Sequence, residues 1–401
     1  MKILYVHQYF NTPDEGGCIR SYNLAKGLVD AGHEVTMITG HNHKSGLEVI
    51  DGIQVHYLKI PYKNQFGFAR RMWAFYQFVQ RSKKAIKKLN QKFDLGYVMT
   101  TPLTTGFIAL FIKTHLHIPY YFEVGDLWPE APIKMGAVKN ELLKKWLYQF
   151  ERKCYTEAQK VIALSPAIRN YIEATSPQTK VHVVTNFADI DFFEKSRKLQ
   201  KFNHQNPIKV GYFGTFGPAN QLTSLIAAAK ACEEHEVPVH FTLMGTGKEA
   251  VLIQNLSSEL SNVTLLPFGN ANEVKEVLEE QDAIYVSFKN LEILNTGSPN
   301  KFFDGLAAGK LIIINFGGWI RSIVDKHKCG FHHYVNEPMD FVRKIEAFIK
   351  EPSLLDTYQK NSRDLAESYY SKDLQIKKLL KILENEKHLS VSDSEVYILT
   401  A

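Results

Sequence analysis

Lys301 stands where a lysine is mildly unfavourable. In the stretch NTGSPNKFFDGLAAGK, Asn295 to Lys310, Ser298 reads as a helix N-cap, Pro299 as the first helical residue and Lys301 as the third, ahead of a periodic apolar run. A cation in that turn faces the positive end of the helix dipole. The arrangement becomes favourable once an anion is shared. First-turn N–H groups, the dipole and the Lys301 ammonium then make one site, best suited to a diphosphate, with Ser298 and Asn300 adding polar side chains. Asp304 lies three residues on along the same face, where a carboxylate can accept hydrogen bonds from sugar hydroxyls. Without those surroundings the two residues read as a surface pair contributing roughly a few tenths of a kcal/mol.

The elements that must position this site alternate between strand and helix, twice over. In the first half, strands read at KILYVH, EVTMIT, IQVHYL, LGYVMT, YYFEV and KVIALS, and in the second at IKVGYF, VHFTLM, VTLLP, AIYVSF and LIIIN. Alternation of this kind predicts an α/β chain of two domains, each a parallel sheet covered by helices, with ligands at the carboxyl ends of the strands. The polar stretch Thr185 to Pro207 marks the boundary. We therefore expect an N-terminal domain over 1–188, a linker over 189–206, a second domain over 207–370, and a C-terminal helix with a polar tail over 371–401.

Each half opens with a strand, a glycine-bearing loop and a helix. In the first, Gly16 and Gly17 sit where the backbone can approach a ligand; in the second, Gly214, Thr215, Phe216 and Gly217 hold the equivalent place. Either loop alone also reads as a tight turn that needs glycine sterically. Neither spells G-x-G-x-x-G with an acid about 20 residues on, and neither is a Walker loop, so nicotinamide cofactors and phosphate-loop hydrolysis are poorly supported.

Composition is that of an ordinary globular chain. The 401 residues are 45% hydrophobic and 22% charged, with net charge +6 and a pI near 8.8, which calls for a local basic patch rather than a general polyanion surface. Cys18, Cys154, Cys232 and Cys329 stand far apart, against a zinc site or disulfide framework. D-x-D occurs once, as Asp189-Ile190-Asp191 in the polar boundary stretch, HNH at His41 to His43 reads as a loop, and no metal is expected. A reducing cytoplasm fits, with neither a signal peptide nor a membrane span expected.

GGCIRSYNLAKGLVDAGHEVTMIT near the N-terminus, YYFEVGDLWPEAPIKMG, VTNFADIDFF and SPNKFFDGLAAGK occur in an order that resembles the retaining sugar-nucleotide glycosyltransferases of family 4, which have the GT-B architecture of two facing Rossmann-like domains. FEVGDLWPE with SPNKFFD is similar to the bacterial branch that builds O-antigen, capsule and related surface glycans such as lipopolysaccharide, including transferases of N-acetylfucosamine-type sugars. The resemblance implies a nucleoside-diphosphate sugar donor of UDP type in the second domain and an acceptor in the first. Relatives carry an acidic pair spaced E-x7-E; here its second position is Asp304, which would hold the ribose, and its first is Thr296. The missing acid leaves its sugar contacts to Asn295, Thr296, or the main chain of Gly297 and Ser298. Basic residues that many relatives supply after the first strand of the second domain are absent from GTFGPANQ, which makes Lys301 the main charge on the diphosphate, assisted by the amides of Gly214 to Phe216. LPFGNANE corresponds to the nucleobase segment, so Gly269 and Asn270 are candidates there.

In the first domain the resemblance gives Asp126 the catalytic carboxylate position, with Gly125 where relatives often have His or Arg. Glu123 either serves in its place or orients it; a helix cap is the competing account of Asp126. The implied reaction is same-face displacement, in which the leaving phosphate oxygen takes the proton of the incoming hydroxyl and no protein nucleophile is required.

Between Lys63 and Lys92 the chain carries nine Lys or Arg, no acid and six aromatic residues. Met72, Phe75, Val79, Ile86 and Leu89 form one helical stripe, and Arg70, Arg81, Lys84 and Lys88 another. The basic side, with Arg71 and Trp73, resembles a surface that rests on anionic lipid headgroups of the inner leaflet, as a polyprenyl-diphosphate-linked acceptor requires. A solvated charged face competes with that reading, and nucleic acid is not expected because no binding module accompanies the charge. The sequence thus points to a metal-independent, peripheral inner-membrane transferase of a hexosyl or N-acetylaminosugar unit; a GT-B nucleotide-sugar epimerase and a non-catalytic sugar-nucleotide-binding protein are the alternatives.

Overall fold

The computed structural model describes residues 1–16, 19–63, 66–193 and 202–384. Gly17 and Cys18 lie outside the described residues. The chain divides into two compact units. One comprises Met1–Thr185 together with Thr296–Ser298 and is rejoined by the chain from Ile376, and the other comprises Asn186–Asn295 and Pro299–Gln375.

The first unit holds eight strands: β1 (Lys2–Val6), β2 (Glu34–His41), β3 (Gly46–Ile50), β4 (Ile53–Lys59), β5 (Leu95–Met99), β6 (Tyr120–Val124), β7 (Lys160–Ala163) and β8 (Val181–Val183). They lie in the order β3-β4-β2-β1-β5-β6-β7-β8. Every pairing is parallel except the edge hairpin of β3 on β4. β1, β5 and β6 are almost wholly buried, as runs such as ILYV and YYFEV require of strands covered on both faces. β3 and β8 escape the sequence reading for a physical reason. β3 is an exposed edge whose Leu47 and Val49 face solvent, and β8 is three residues long, so neither shows a period.

The second unit contains β9 (Ile208–Phe213), β10 (Val239–Met244), β11 (Val263–Leu266), β12 (Ala283–Val286), β13 (Leu311–Ile314) and the short β14 (Gly330–His332). Their order is β11-β10-β9-β12-β13-β14, all parallel. Two crossovers run outward from β9 and two from β12, so the chain reverses direction across the sheet between β9 and β12. Crevices at such reversals, at the carboxyl ends of the strands, are where open α/β sheets bind ligands. The four side chains of β13 have no solvent access, each contributing roughly 1.5–3 kcal/mol by burial. The core beneath is built from β9, β10 and the helices Thr223–Glu234 and Pro338–Lys350.

Candidate active site

The helix that carries Lys301 spans Asn300–Ala307. It begins one residue later than SPNKFF suggests: the N-cap is Pro299, in extended conformation, and no side chain caps it. Ser298 therefore precedes the cap, and Lys301 is the second helical residue. The shift loses no hydrogen bond, because neither the N-cap nor the first helical position needs the N–H that proline lacks. The uncapped turn leaves the amides of Asn300 and Lys301 without intrahelical acceptors, while the Phe302 amide donates to the Pro299 carbonyl at 3.1 Å.

Lys301 is placed by the carboxyl end of β9 and the loop that follows it. Its Nζ donates to the Tyr212 hydroxyl at 3.0 Å and lies 4.3 Å from that ring's centroid. Gly214, with φ of 140°, sits alongside, and a Cβ there would come within 3.4 Å of the Lys301 Nζ. Only glycine adopts that backbone without strain and leaves the ammonium its room. Burial pushes the Lys301 pKa down from 10.5 to about 7, with Asp304 acting in the opposite sense. Burial, then the charge of Asp189, raises Asp304 to about 7, partly offset by Lys301. Two half-buried groups of opposite sign, each disfavoured in its charged form, make a site that a charged ligand would change.

Two expected contacts are corrected here. The amides of Gly214 and Phe216 do not face a ligand, because they donate to the carbonyls of Met244 and Thr246 at 3.0 and 2.9 Å. This backbone pairing holds the loops after β9 and β10 together, so tightly that a Cβ on Gly245 would fall 1.9 Å from the Gly214 carbonyl oxygen. The Thr215 carbonyl accepts from Tyr212 and Asn220. Asn270 is likewise engaged: its Oδ1 accepts from the amides of Asn272 and Glu273 while Glu273 bonds the Asn270 amide, a capping box for Ala271–Glu279. Gly269 is buried beneath it against Met244. Thr296, Gly297 and Ser298 link a short helical turn, Glu292–Thr296, to Pro299, and all three are partly accessible.

In the first unit the carboxylates of FEVGD have separate fates. Glu123, on β6, is fully buried. Its Oε1 accepts from Arg20 Nε at 2.8 Å and its Oε2 from the Tyr97 hydroxyl. Arg20, buried too, also donates to the carbonyls of Thr185 and Val184. Both of its ends are thus fixed inside the domain, and Glu123 is a structural anchor rather than an accessible acid or base. Asp126 lies beyond the strand end, open to solvent on one side; the neighbour that bonds it is Thr101, at 3.3 Å, not Glu123. Its close walls raise the Asp126 pKa, and the Thr101 hydroxyl lowers it in part. Gly16 closes the turn after β1, with φ of 70° and its amide on Thr12 and Pro13 carbonyls.

The basic helix runs over Phe68–Lys88. Phe75, Val79 and Ile86 are buried, whereas Arg70, Arg81, Lys84 and Lys88 are exposed. Arg71 is half-buried. Trp73 stacks on Tyr76 at 5.5 Å with both rings more than half exposed. Among the described residues no helix is long and apolar enough to cross a membrane. None of the described His, Cys, Asp and Glu side chains form a group of three suited to a metal ion.

Tyr212, Thr101 and Arg20 are absent from the sequence reading. Tyr212 falls within IKVGYF, whose continuous apolar run marks it as core; its one distinguishing sign is a hydroxyl at the strand's carboxyl end, two residues before Gly214.

The arrangement in the second unit, an uncapped helix start with a lysine held over the first strand's loop, is suited to a phosphate-bearing ligand. Two family models match the chain: the glycosyl transferase 4-like domain over residues 16–186 and the glycosyl transferases group 1 over residues 193–365. Together they take in most of its length, and the chain belongs to the group 1 glycosyltransferases, with the GT-B fold. No curated protein matches it in sequence. Among solved structures, sucrose-phosphate synthase from Thermosynechococcus elongatus is similar with a TM-score of 0.75 and 15% identity, covering 96% of this chain and 98% of that one. Anabaena HepE, solved in complex with UDP-glucose, matches with a TM-score of 0.65 and 16% identity over 96% of this chain and 100% of its own. WaaG, described as a glycosyltransferase involved in lipopolysaccharide biosynthesis, matches over 100% of both chains with a TM-score of 0.61 and 15% identity.

Proposed function

We propose that the chain transfers a sugar from a UDP-type nucleoside-diphosphate donor to a lipid-linked glycan, with retention and without a metal, in the building of a bacterial surface polysaccharide of the O-antigen or capsule kind. The second unit binds the donor and the first the acceptor. The observation that carries this reading is the Lys301 ammonium, held by Tyr212 beside Gly214 at the start of an uncapped helix, at the strand reversal between β9 and β12. The UDP-glucose complex of HepE and the lipopolysaccharide role of WaaG support donor and pathway by likeness.

In this scheme the bond from the sugar's anomeric carbon to the phosphate oxygen breaks as the acceptor oxygen adds on the same face. The acceptor's proton passes to the leaving phosphate. The chain's part is to hold both partners and to stabilise charge growing on the diphosphate, through Lys301 and the first-turn amides. Asp304 accepts from the ribose hydroxyls. Asp126 orients the incoming hydroxyl. The exposed basic and aromatic side of Phe68–Lys88 brings the enzyme to the anionic cytoplasmic leaflet where a polyprenyl-diphosphate acceptor resides.

The test is a screen of UDP-sugars against polyprenyl-diphosphate-linked acceptors, read by mass spectrometry. Acceptor-dependent release of UDP with a matching mass gain is the expected result. Conversion of a UDP-sugar with no acceptor present would instead make the chain an epimerase, and donor binding with no UDP release across the panel would make it a binding protein.

A further inference from the structure

A cavity of about 190 Å³ opens in the first unit beside the carboxyl ends of β1, β2 and β4, lined in part by Gln8, Tyr9, Phe10, Asn42, Ile60 and Tyr62. In the sheet it lies on the opposite flank of β1 from β6, whose following loop carries Asp126. It is small enough to suit one sugar ring, below the roughly 300 Å³ at which sites for drug-sized ligands begin. Its wall holds an unusual group. Gln8 is only 2% exposed, and neither Nε2 nor Oε1 of its amide has a hydrogen-bond partner among the described residues. The Gln8 backbone is fixed, since its carbonyl accepts from the Gly40 amide and the Thr39 hydroxyl. A buried amide left unpaired at both atoms is costly, and such groups call for an explanation.

The rest of the lining narrows what completes it. Glu15 accepts from the Thr12 amide at 3.1 Å and pairs with Lys44 at 3.1 Å. His41 Nδ1 accepts from the amides of His43 and Lys44, which leaves the ring proton on Nε2, 3.5 Å from Glu15. Glu15 and Lys44 thus match each other within the lining, while Arg71, close enough to act on Tyr9, has no ion pair among the described residues, so the choice of a hydroxyl-bearing ligand rests on the Gln8 amide. Tyr9 and Tyr62 stand with ring centroids 5.0 Å apart, offering apolar faces with polar tips. An amide edge presents one donor and one acceptor side by side. Two adjacent hydroxyls, each able to give and take, are its natural complement.

We infer that this cavity is a subsite for a neutral monosaccharide unit, gripped through a pair of adjacent hydroxyls by the Gln8 amide and flanked by Tyr9 and Tyr62. Its role as part of the acceptor site rests on the transfer reading above; its capacity to bind a sugar does not.

The test uses the full chain without donor and the methyl glycosides of glucose, galactose and mannose as probes, read by saturation-transfer NMR. The ring-only control is 2-methoxytetrahydropyran, which lacks the hydroxyls. At least one glycoside should receive saturation and the control should not. Gln8→Met keeps the side chain's length and removes both unpaired polar atoms, so it should weaken glycoside binding at least tenfold, raise the melting temperature, and leave UDP affinity unchanged. If Gln8→Met does not fold, Gln8→Glu, which loses the donor half, should show the same loss. Binding of no glycoside at tens of millimolar, or equal binding by whichever variant folds, would overturn the subsite while leaving the donor assignment standing. Loss of UDP binding in the wild type would do the reverse.

Discussion

The Lys301 ammonium lies 4.3 Å from the centroid of the Tyr212 ring and donates to that ring's hydroxyl at 3.0 Å. The contact joins the helix after β12 to the carboxyl end of β9, the two strands between which the sheet reverses, and it holds the cation with little entropy left to lose when a diphosphate arrives. Replacing Lys301 with Ala should therefore lower kcat by about 10²–10³, the range for removing one preorganised charge from a transition state, with an unchanged circular-dichroism spectrum. Tyr212→Phe keeps the ring and removes the hydroxyl. One hydrogen bond is worth about 1 kcal/mol, so the donor KM should rise about fivefold with kcat little altered. A near-normal kcat in the Lys301 variant would remove the residue from the mechanism.

Donor affinity should peak near neutral pH. In the free protein Lys301 titrates at about 7, below its ordinary 10.5, because burial disfavours its charge. A bound diphosphate favours that charge and raises the pKa, so binding takes up a proton. Affinity is then full below pH 7 on this account and declines as pH rises through 7. Asp304, raised to about 7 by burial and by Asp189, acts oppositely, since its carboxylate must be ionised to accept two ribose hydroxyls and protonates as pH falls. Calorimetry of UDP binding across pH, in buffers of differing ionisation enthalpy, should give a bell. Lys301→Met should flatten its alkaline side and Asp304→Asn its acid side; unaltered limbs would exclude these groups.

The carboxylates of FEVGD should separate into a stability residue and an activity residue. Glu123 balances a buried guanidinium, and removing one partner of such a pair costs about 3–5 kcal/mol. Glu123→Leu alone should lower the melting temperature strongly, and the double change Glu123→Leu with Arg20→Met should recover much of the loss, because an apolar pair leaves no unbalanced charge. Asp126→Asn, at an accessible loop, should leave thermal unfolding within about 0.5 kcal/mol of wild type and reduce turnover at least tenfold. Retained turnover in Asp126→Asn would return that residue to a loop-capping role.

The interior strands were legible because burial on both faces writes itself as runs such as LIII and ILYV, and the loops after β1 and β9 because glycine marks close backbone approach. Lys301 and Asp304 were legible through helix-start signals. What could not be read was the use to which each polar atom is put. The Asn270–Glu273 capping box was written locally as N-x-x-E, but nothing local shows that the Gly214 and Phe216 amides bond the strand-end loop of β10, or that Glu123 meets Arg20 from 103 positions away. Those pairings follow from strand order, which periodicity does not encode.

The helix Phe68–Lys88 should bind anionic bilayers through two separable contributions. Arg70, Arg81, Lys84 and Lys88 are exposed, and a basic residue near an anionic surface contributes about 1 kcal/mol, decaying within a Debye length. Replacing all four with Gln should weaken flotation with phosphatidylglycerol liposomes at least tenfold. Raised salt should have the same effect on the wild type. Trp73 and Tyr76, stacked and more than half exposed, sit where an aromatic pair enters the headgroup layer, an interaction that salt does not screen. Trp73→Ala should therefore weaken binding at high and low salt alike. Flotation that is indifferent to all five substitutions would make the helix a solvated face and remove the membrane from the proposed reaction.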